Sequence, residues 1–287
     1  MDIRKAMNES VIIINKPPGH TSHEITTFVK KITGANRSGH AGTLDPDVSG
    51  VLPVALGRAT KLLRYIAGKD KTYVGIIKFK NPLGRDEIEK LFKQFTGELV
   101  QTPPKISAVR KVPRKRTVYY LKLLEFETNG RLALFETKVD AGTYIRTLCE
   151  DIGKKCGGAR MEELRRTAVG NITEKETHTM YDLIDAMWLL KNRKDDSELK
   201  KMLRAPESLI DLPRVIIKPS ALASIFSGAQ VMVPAIEKME NVKRGERVAM
   251  YSGETFIGVG IAQIDSSALG KAEKGIAIKL ERVQKPD

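Results

Sequence analysis

Two runs rich in β-branched and aromatic residues, 117–126 and 131–139, meet at Asn129-Gly130. That dipeptide readily takes the positive φ angles of a tight primed turn, so the runs fold back on each other as an antiparallel hairpin. Residues 71–79 have the same character and read as another strand. Helical spacing surrounds these runs. Ile25, Phe28, Val29 and Ile32 form one apolar face behind a Thr21–Glu24 capping box, and Gly34 stops that helix. Ile88, Leu91, Phe92 and Phe95 form a second face, closed by Gly97, and Ile145, Leu148, Cys149 and Ile152 a third. Thr179 and Asp182 open a further helix with Leu183, Ile184 and Met187 turned inward, and residues 60–67 read as a short helix ended by Gly68. Hairpins interspersed with helices do not fit the strict alternation of a doubly wound parallel sheet. They point to an α+β fold on a mixed or antiparallel sheet.

The pattern changes after residue 211. Short β-like runs at 215–217, 230–233, 246–251, 255–264 and 275–283 are broken by Gly, Pro and Ser, with one short helix at 220–226. This reads as a small β-barrel of about 75 residues. The expected domains are therefore 1–211 and 212–287, within a chain of 287 residues.

Charge narrows the function. Lys and Arg number 49 against 35 Asp and Glu, a net charge of +14, which calls for a polyanionic partner. A membrane surface fits less well than nucleic acid, because the sequence has no lipidation signal and no basic amphipathic helix. No apolar run approaches the roughly 18 residues of a membrane span, and residues 1–10 are polar, so a cytoplasmic protein without membrane contact is expected. Cys149 and Cys156 lie about two helical turns apart, too far for a disulfide, and read as core filler. His20, His23, His40 and His178 have no metal-ligand or triad spacing, and no Walker or Rossmann loop is present, so no metal site is expected.

Four segments could carry chemistry. In residues 39–46, Gly39 and Gly42 allow tight turns and Pro46 holds Asp45 extended, presenting a lone carboxylate at a loop tip. An ordinary turn Asp before Pro would look the same. Residues 141–146, with Tyr144 and Arg146, join a strand to a helix, where an arginine can reach a carboxylate or simply face water. Residues 105–116 hold Lys105, Arg110, Lys111, Arg114, Lys115 and Arg116 without an acid, and read as a protruding loop suited to phosphates. Residues 161–167, with Leu164, Arg165 and Arg166, read as charge near a helix end.

These pieces, in this order, resemble the TruB/dyskerin family of pseudouridine synthases. Lys16-Pro17-Pro18-Gly19 with Thr21-Ser22-His23, the stretch from His40 to Pro46, Lys71-Thr72-Tyr73, residues 139–148 and residues 161–167 correspond to its successive motifs, and residues 227–234 resemble the start of a PUA domain. The form of residues 139–144, Ser107-Ala108-Val109 and the PUA-like end resemble the archaeal and eukaryotic branch. The resemblance implies a pseudouridine synthase catalytic domain followed by an RNA-binding PUA domain. It implies Asp45 as the catalytic carboxylate, Tyr73 stacked on the target base and removing the C5 proton, and Arg146 paired with Asp45. Leu164 would line the pocket, Lys16 and Pro17 shape its floor, and His40 and Tyr144 meet the RNA. The implied partners are tRNA, at its TΨC loop, and box H/ACA guide RNA with an rRNA target and small H/ACA proteins. No cofactor is implied, because the isomerisation is redox-neutral. The rival reading is a non-catalytic RNA-binding scaffold.

Overall fold

The computed structural model describes residues 2–103, 110–270 and 273–285. They fall into two compact units, residues 1–209 and 210–287.

The first unit is built on one sheet. Its strands are β1 (Val11–Lys16), β2 (Ser38–His40), β3 (Ser49–Leu56), β4 (Lys71–Phe79), β5 (Gly97–Gln101), β6 (Arg114–Phe126), β7 (Leu132–Val139), β8 (Ala159–Val169) and β9 (Ile172–Thr173). The order is β1-β3-β8-β4-β7-β6-β5, with β2 on β3 and β9 on β8. All pairings are antiparallel except β3 with β8, which run parallel at Ser49–Arg165 and Gly50–Arg166. Helices α1 (Ile3–Met7), α2 (Ser22–Thr33), α3 (Leu63–Ala67), α4 (Arg85–Gln94), α5 (Ile145–Lys155), α6 (Met180–Arg193) and α7 (Ser197–Met202) accompany it. The α+β fold on a mixed sheet is thus present.

The core follows the hydrophobic patterns. On β4, Lys71, Tyr73, Gly75, Ile77 and Phe79 alternate inward, the period of a half-buried strand. The α2 stripe buries Ile25 and Val29 against β3 residues Leu52, Val54 and Leu56, and α4 and α5 contribute Ile88, Phe92, Leu148 and Ile152. Helix α2 starts at the capping box, where Thr21 Oγ1 accepts from the Glu24 amide, and ends at left-handed Gly34. Cys149 is buried in α5, which pushes its thiol up to about 12 and leaves it inert.

Three expectations change. Residues 161–167 are no helix end but the middle of β8. Its register against β4 slips twice, skipping Glu162 and Thr167, so the alternation that would announce a strand is broken. The basic segment is not all loop: Arg114, Lys115 and Arg116 begin β6 and pair with Gln101, Val100 and Leu99 of β5. An edge ladder tolerates such charge because one face is wet. Ile184 is 38% exposed, because α6 turns Leu183 and Ala186 inward instead.

Among the described residues the second unit forms a six-stranded sheet of β10 (Arg214–Ile217), β11 (Val231–Met232), β12 (Ile236–Met239), β13 (Arg247–Ser252), β14 (Thr255–Ala262) and β15 (Ile276–Val283), in the order β11-β15-β14-β13-β10-β12. Helix α8 (Leu222–Phe226) covers it. The sheet curls as a half-barrel around Val215, Ile217, Val248, Met250, Ile257 and Ile278. Strand β12 lay outside the sequence reading because its middle, Glu237-Lys238, is polar and exposed.

Candidate active site

The segment 41–48, between β2 and β3, carries Asp45 and is gripped mostly through its backbone. Ser22 on α2 donates its hydroxyl to the Leu44 carbonyl at 3.0 Å and accepts from the Leu44 amide at 2.8 Å. The Lys16 ammonium, at the end of β1, donates to the Pro46 carbonyl at 2.8 Å and the Pro17 carbonyl at 2.9 Å. The Gly19 amide donates to Pro46 as well, at 3.0 Å. Arg166 of β8 lies beneath the segment, donating Nε to the Val51 carbonyl at 2.8 Å and Nη2 to the Gly42 carbonyl at 3.0 Å. Gly42 has φ +84°, a left-handed backbone that residues with a Cβ rarely adopt, so the turn favours a glycine.

Asp45 itself is half-exposed. Arg146 Nη2 lies 3.1 Å from Asp45 Oδ2. Arg146 sits in the first turn of α5, whose dipole disfavours a cation and whose first turn holds no acid. A carboxylate from another segment compensates it. The turn leading into α5 is fixed by Gln101 of β5, whose amide donates to the Tyr144 carbonyl at 3.1 Å and accepts from the Tyr144 N–H at 2.9 Å.

Tyr73 is 7% exposed on β4, and its hydroxyl meets the Arg166 guanidinium, which thereby touches both the Asp45 loop and the phenol. Leu164 is half-buried on β8 opposite Gly75 of β4. His40 closes β2; burial, then the Arg166 and His23 charges, lower its pKa, and its Nδ1 is buried without a hydrogen-bond partner.

The structure thus joins Asp45, Arg146, Lys16 and Pro17 around one loop, with Tyr73 linked to it through Arg166. Lys16 is fully buried and gives its ammonium to two carbonyls, so it braces the loop rather than reaching a ligand. Burial lowers its pKa, while Asp47 and Asp45 oppose that shift. Arg110, Lys111, Arg114 and Lys115 are exposed, Lys115 pairing with Glu98 at 2.9 Å, and Arg116 lies over Gly142. Lys105 lies outside the described residues.

Sequence reasoning assigned no bracing role to Arg166, Ser22, Gln101 or Lys71. Each is a polar side chain that is buried in the structure, and only the strand alternation of β4 marks Lys71 as inward. Lys71 donates to the Ala67 carbonyl at 2.7 Å and to the Lys69 carbonyl at 2.5 Å, capping α3. Burial, joined by Arg166, lowers its pKa from 10.5 to about 8. A folded pKa below the unfolded one means that the unfolded chain binds more protons between these values. Stability should therefore rise as pH climbs from about 8 to 10.5. Urea midpoints followed across that window should rise less in Lys71→Met than in the parent; equal rises would contradict the assignment.

An anionic carboxylate on a braced loop, open to solvent and gripped by an arginine, can attack an electrophilic carbon or take a proton. Among the described residues no group of three His, Cys, Asp or Glu could hold a metal ion, and no helix is long and apolar enough to cross a membrane.

Comparison with known proteins adds the chemistry. Residues 30–82 match the TruB family pseudouridylate synthase N-terminal domain, 146–211 the tRNA pseudouridylate synthase B C-terminal domain, and 213–284 the PUA domain. The chain is 42% identical over 282 residues to "Probable tRNA pseudouridine synthase B" of Pyrobaculum calidifontis, covering 96% of this chain and 84% of the relative. Its fold matches a crystal structure of a Cbf5-Nop10-Gar1 complex with a TM-score of 0.92 at 40% identity, over 99% of this chain and 87% of that one. An H/ACA RNP bound to a substrate RNA containing 2'-deoxyuridine matches with a TM-score of 0.91 at 38% identity, over 100% of this chain and 88% of that one. With both halves of the catalytic unit and the C-terminal unit matched in order, the chain belongs to the TruB/Cbf5 family of pseudouridine synthases that carry a PUA domain.

Proposed function

We propose that this chain isomerises uridine to pseudouridine in RNA with Asp45 as its catalytic carboxylate. The observation that carries the reading is the Asp45–Arg146 pair on a loop braced from three sides. In the reaction the N1–C1′ bond breaks, the uracil turns, C5 bonds to C1′, and the C5 proton leaves while N1 gains one. Atoms and electrons balance without an oxidant or a leaving group. The ionised carboxylate serves either as nucleophile at C1′ or as base at C2′. Tyr73 supports the flipped base and accepts its C5 proton, Arg146 holds the carboxylate, and Leu164 and Pro17 bound the pocket. Lys16 acts on the loop.

The substrates we propose are the TΨC loop of tRNA and, with an H/ACA guide RNA and small proteins such as the Nop10 and Gar1 of the similar complex, an rRNA target. His40, Tyr144, Arg110, Lys111, Arg114, Lys115 and Arg116 face the RNA in this reading, with Lys105 beside them. We place the protein in the cytoplasm, as the sequence suggests.

The test uses unmodified tRNA labelled with tritium at uridine C5, with and without H/ACA proteins and guide RNA. Release of tritium by the lone chain supports direct action on tRNA. Release only with the partners supports the guided mode alone. No release in either case leaves a scaffold and defeats the enzymatic reading.

A further inference from the structure

A groove of about 460 Å³ lies between α2 and the approach to β2, with His23, Thr27, Lys30, Asn36, Arg37 and Ser38 in its lining. Its lining contains two cations and no carboxylate. Lys30 and Arg37 are exposed, and among the described residues neither makes an ion pair with an acid. The wall is held firm from behind. Ser38 donates to the Thr26 carbonyl at 2.9 Å, Thr26 to the His23 carbonyl at 2.8 Å and Thr60 to the Gly57 carbonyl at 2.7 Å. The backbone of Arg37 is fixed where the Gly57 amide donates to its carbonyl at 2.9 Å. The donors left for a ligand are the Lys30 ammonium, the Arg37 guanidinium, the Thr27 hydroxyl and the His23 and Asn36 side chains.

Position assigns the ligand. Ser38 begins β2 and His40 ends it, and the chain then enters the Asp45 loop. His23 is the groove residue near His40. His40 and His23 thus link the Asp45 loop to the groove. We infer that this groove is a phosphodiester subsite for the RNA strand that carries the target uridine, with Lys30 and Arg37 as its two phosphate contacts. The inference rests on the reading of the chain as an RNA-modifying enzyme. Arg37 offers a planar fork to phosphate oxygens and Lys30 a point charge. Neither contact reads a base, so the subsite positions RNA without selecting sequence.

The test is equilibrium binding of an unmodified tRNA transcript by fluorescence anisotropy across a salt series, which needs no turnover. The doubly neutralised Lys30→Gln, Arg37→Gln chain should bind roughly tenfold more weakly, with a plot of log K against log salt shallower by about 2. Its KM in tritium release should rise. Lys90→Gln with Lys93→Gln, which removes two exposed charges from α4, serves as the control and should leave the slope unchanged. An unaltered slope in the first variant, or an equal drop in both, overturns the subsite. A parent chain that binds RNA but releases no tritium would defeat the catalytic reading while the groove is still judged by binding.

Discussion

Asp45→Asn is expected to lower tritium release from C5-labelled uridine by about 10³-fold or more, while RNA affinity and thermal stability barely change. The first half follows from chemistry. An amide keeps the shape of the side chain but neither attacks carbon nor takes a proton, and losing such a group costs at least 10²–10⁴-fold. The second half follows from exposure. Asp45 and Arg146 have side chains 50% and 39% exposed, and an ion pair in that setting contributes about 0–1 kcal/mol. The loop keeps its shape because its braces end on backbone atoms. A collapse of turnover with an unmoved Tm therefore separates chemistry from folding. Full turnover in the variant would remove Asp45 from the mechanism.

The second large effect concerns Arg166. It is 1% exposed, and among the described residues no carboxylate pairs with it. A cation so placed is costly unless every donor finds an acceptor, and it finds the carbonyls of Gly42 and Val51 and the Tyr73 hydroxyl. Arg166→Met leaves those acceptors buried and unmet, at about 1–3 kcal/mol each, against which stands the relief of no longer burying a charge. The net expectation is a loss of about 2–4 kcal/mol in urea unfolding, with turnover falling further than RNA affinity as the loop and phenol lose their common anchor. Arg166→Lys should restore part of the stability but little of the turnover, since a point-like ammonium lacks the planar fork that reaches the two carbonyls and the Tyr73 hydroxyl together. An unmoved urea midpoint together with parental turnover would show that Arg166 is a passive filler.

Where local pattern and tertiary structure agree, the sequence was readable. Strand β4 alternates without interruption, α2 carries its own capping box and terminal glycine, and Asn129-Gly130 marks the hairpin of β6 and β7. Where they part, reading failed for identifiable reasons. The two register slips in β8 remove its period, so 161–167 passed for a helix end and Arg166 for surface charge. Its neighbour Arg165 does point outward, to Glu174 at 2.9 Å. Strand β5 is short and half-wet, and without it the start of β6 looks like loop. The pairing of Asp45 with Arg146 spans a hundred residues, and neither position declares its partner except through the family motifs. Lys16 was recognised by motif, yet only the structure shows its ammonium turned into the protein rather than outward.

The braces around Asp45 come from β1, α2 and β8 and close on main-chain oxygens and one amide. Main-chain atoms are common to every amino acid, so this mode of attachment is indifferent to the side chains it carries. Thr43, exposed to water, can therefore change without loosening these braces. Such a scaffold lets the rim of the pocket be rewritten for a new RNA while the reacting group stays where it is.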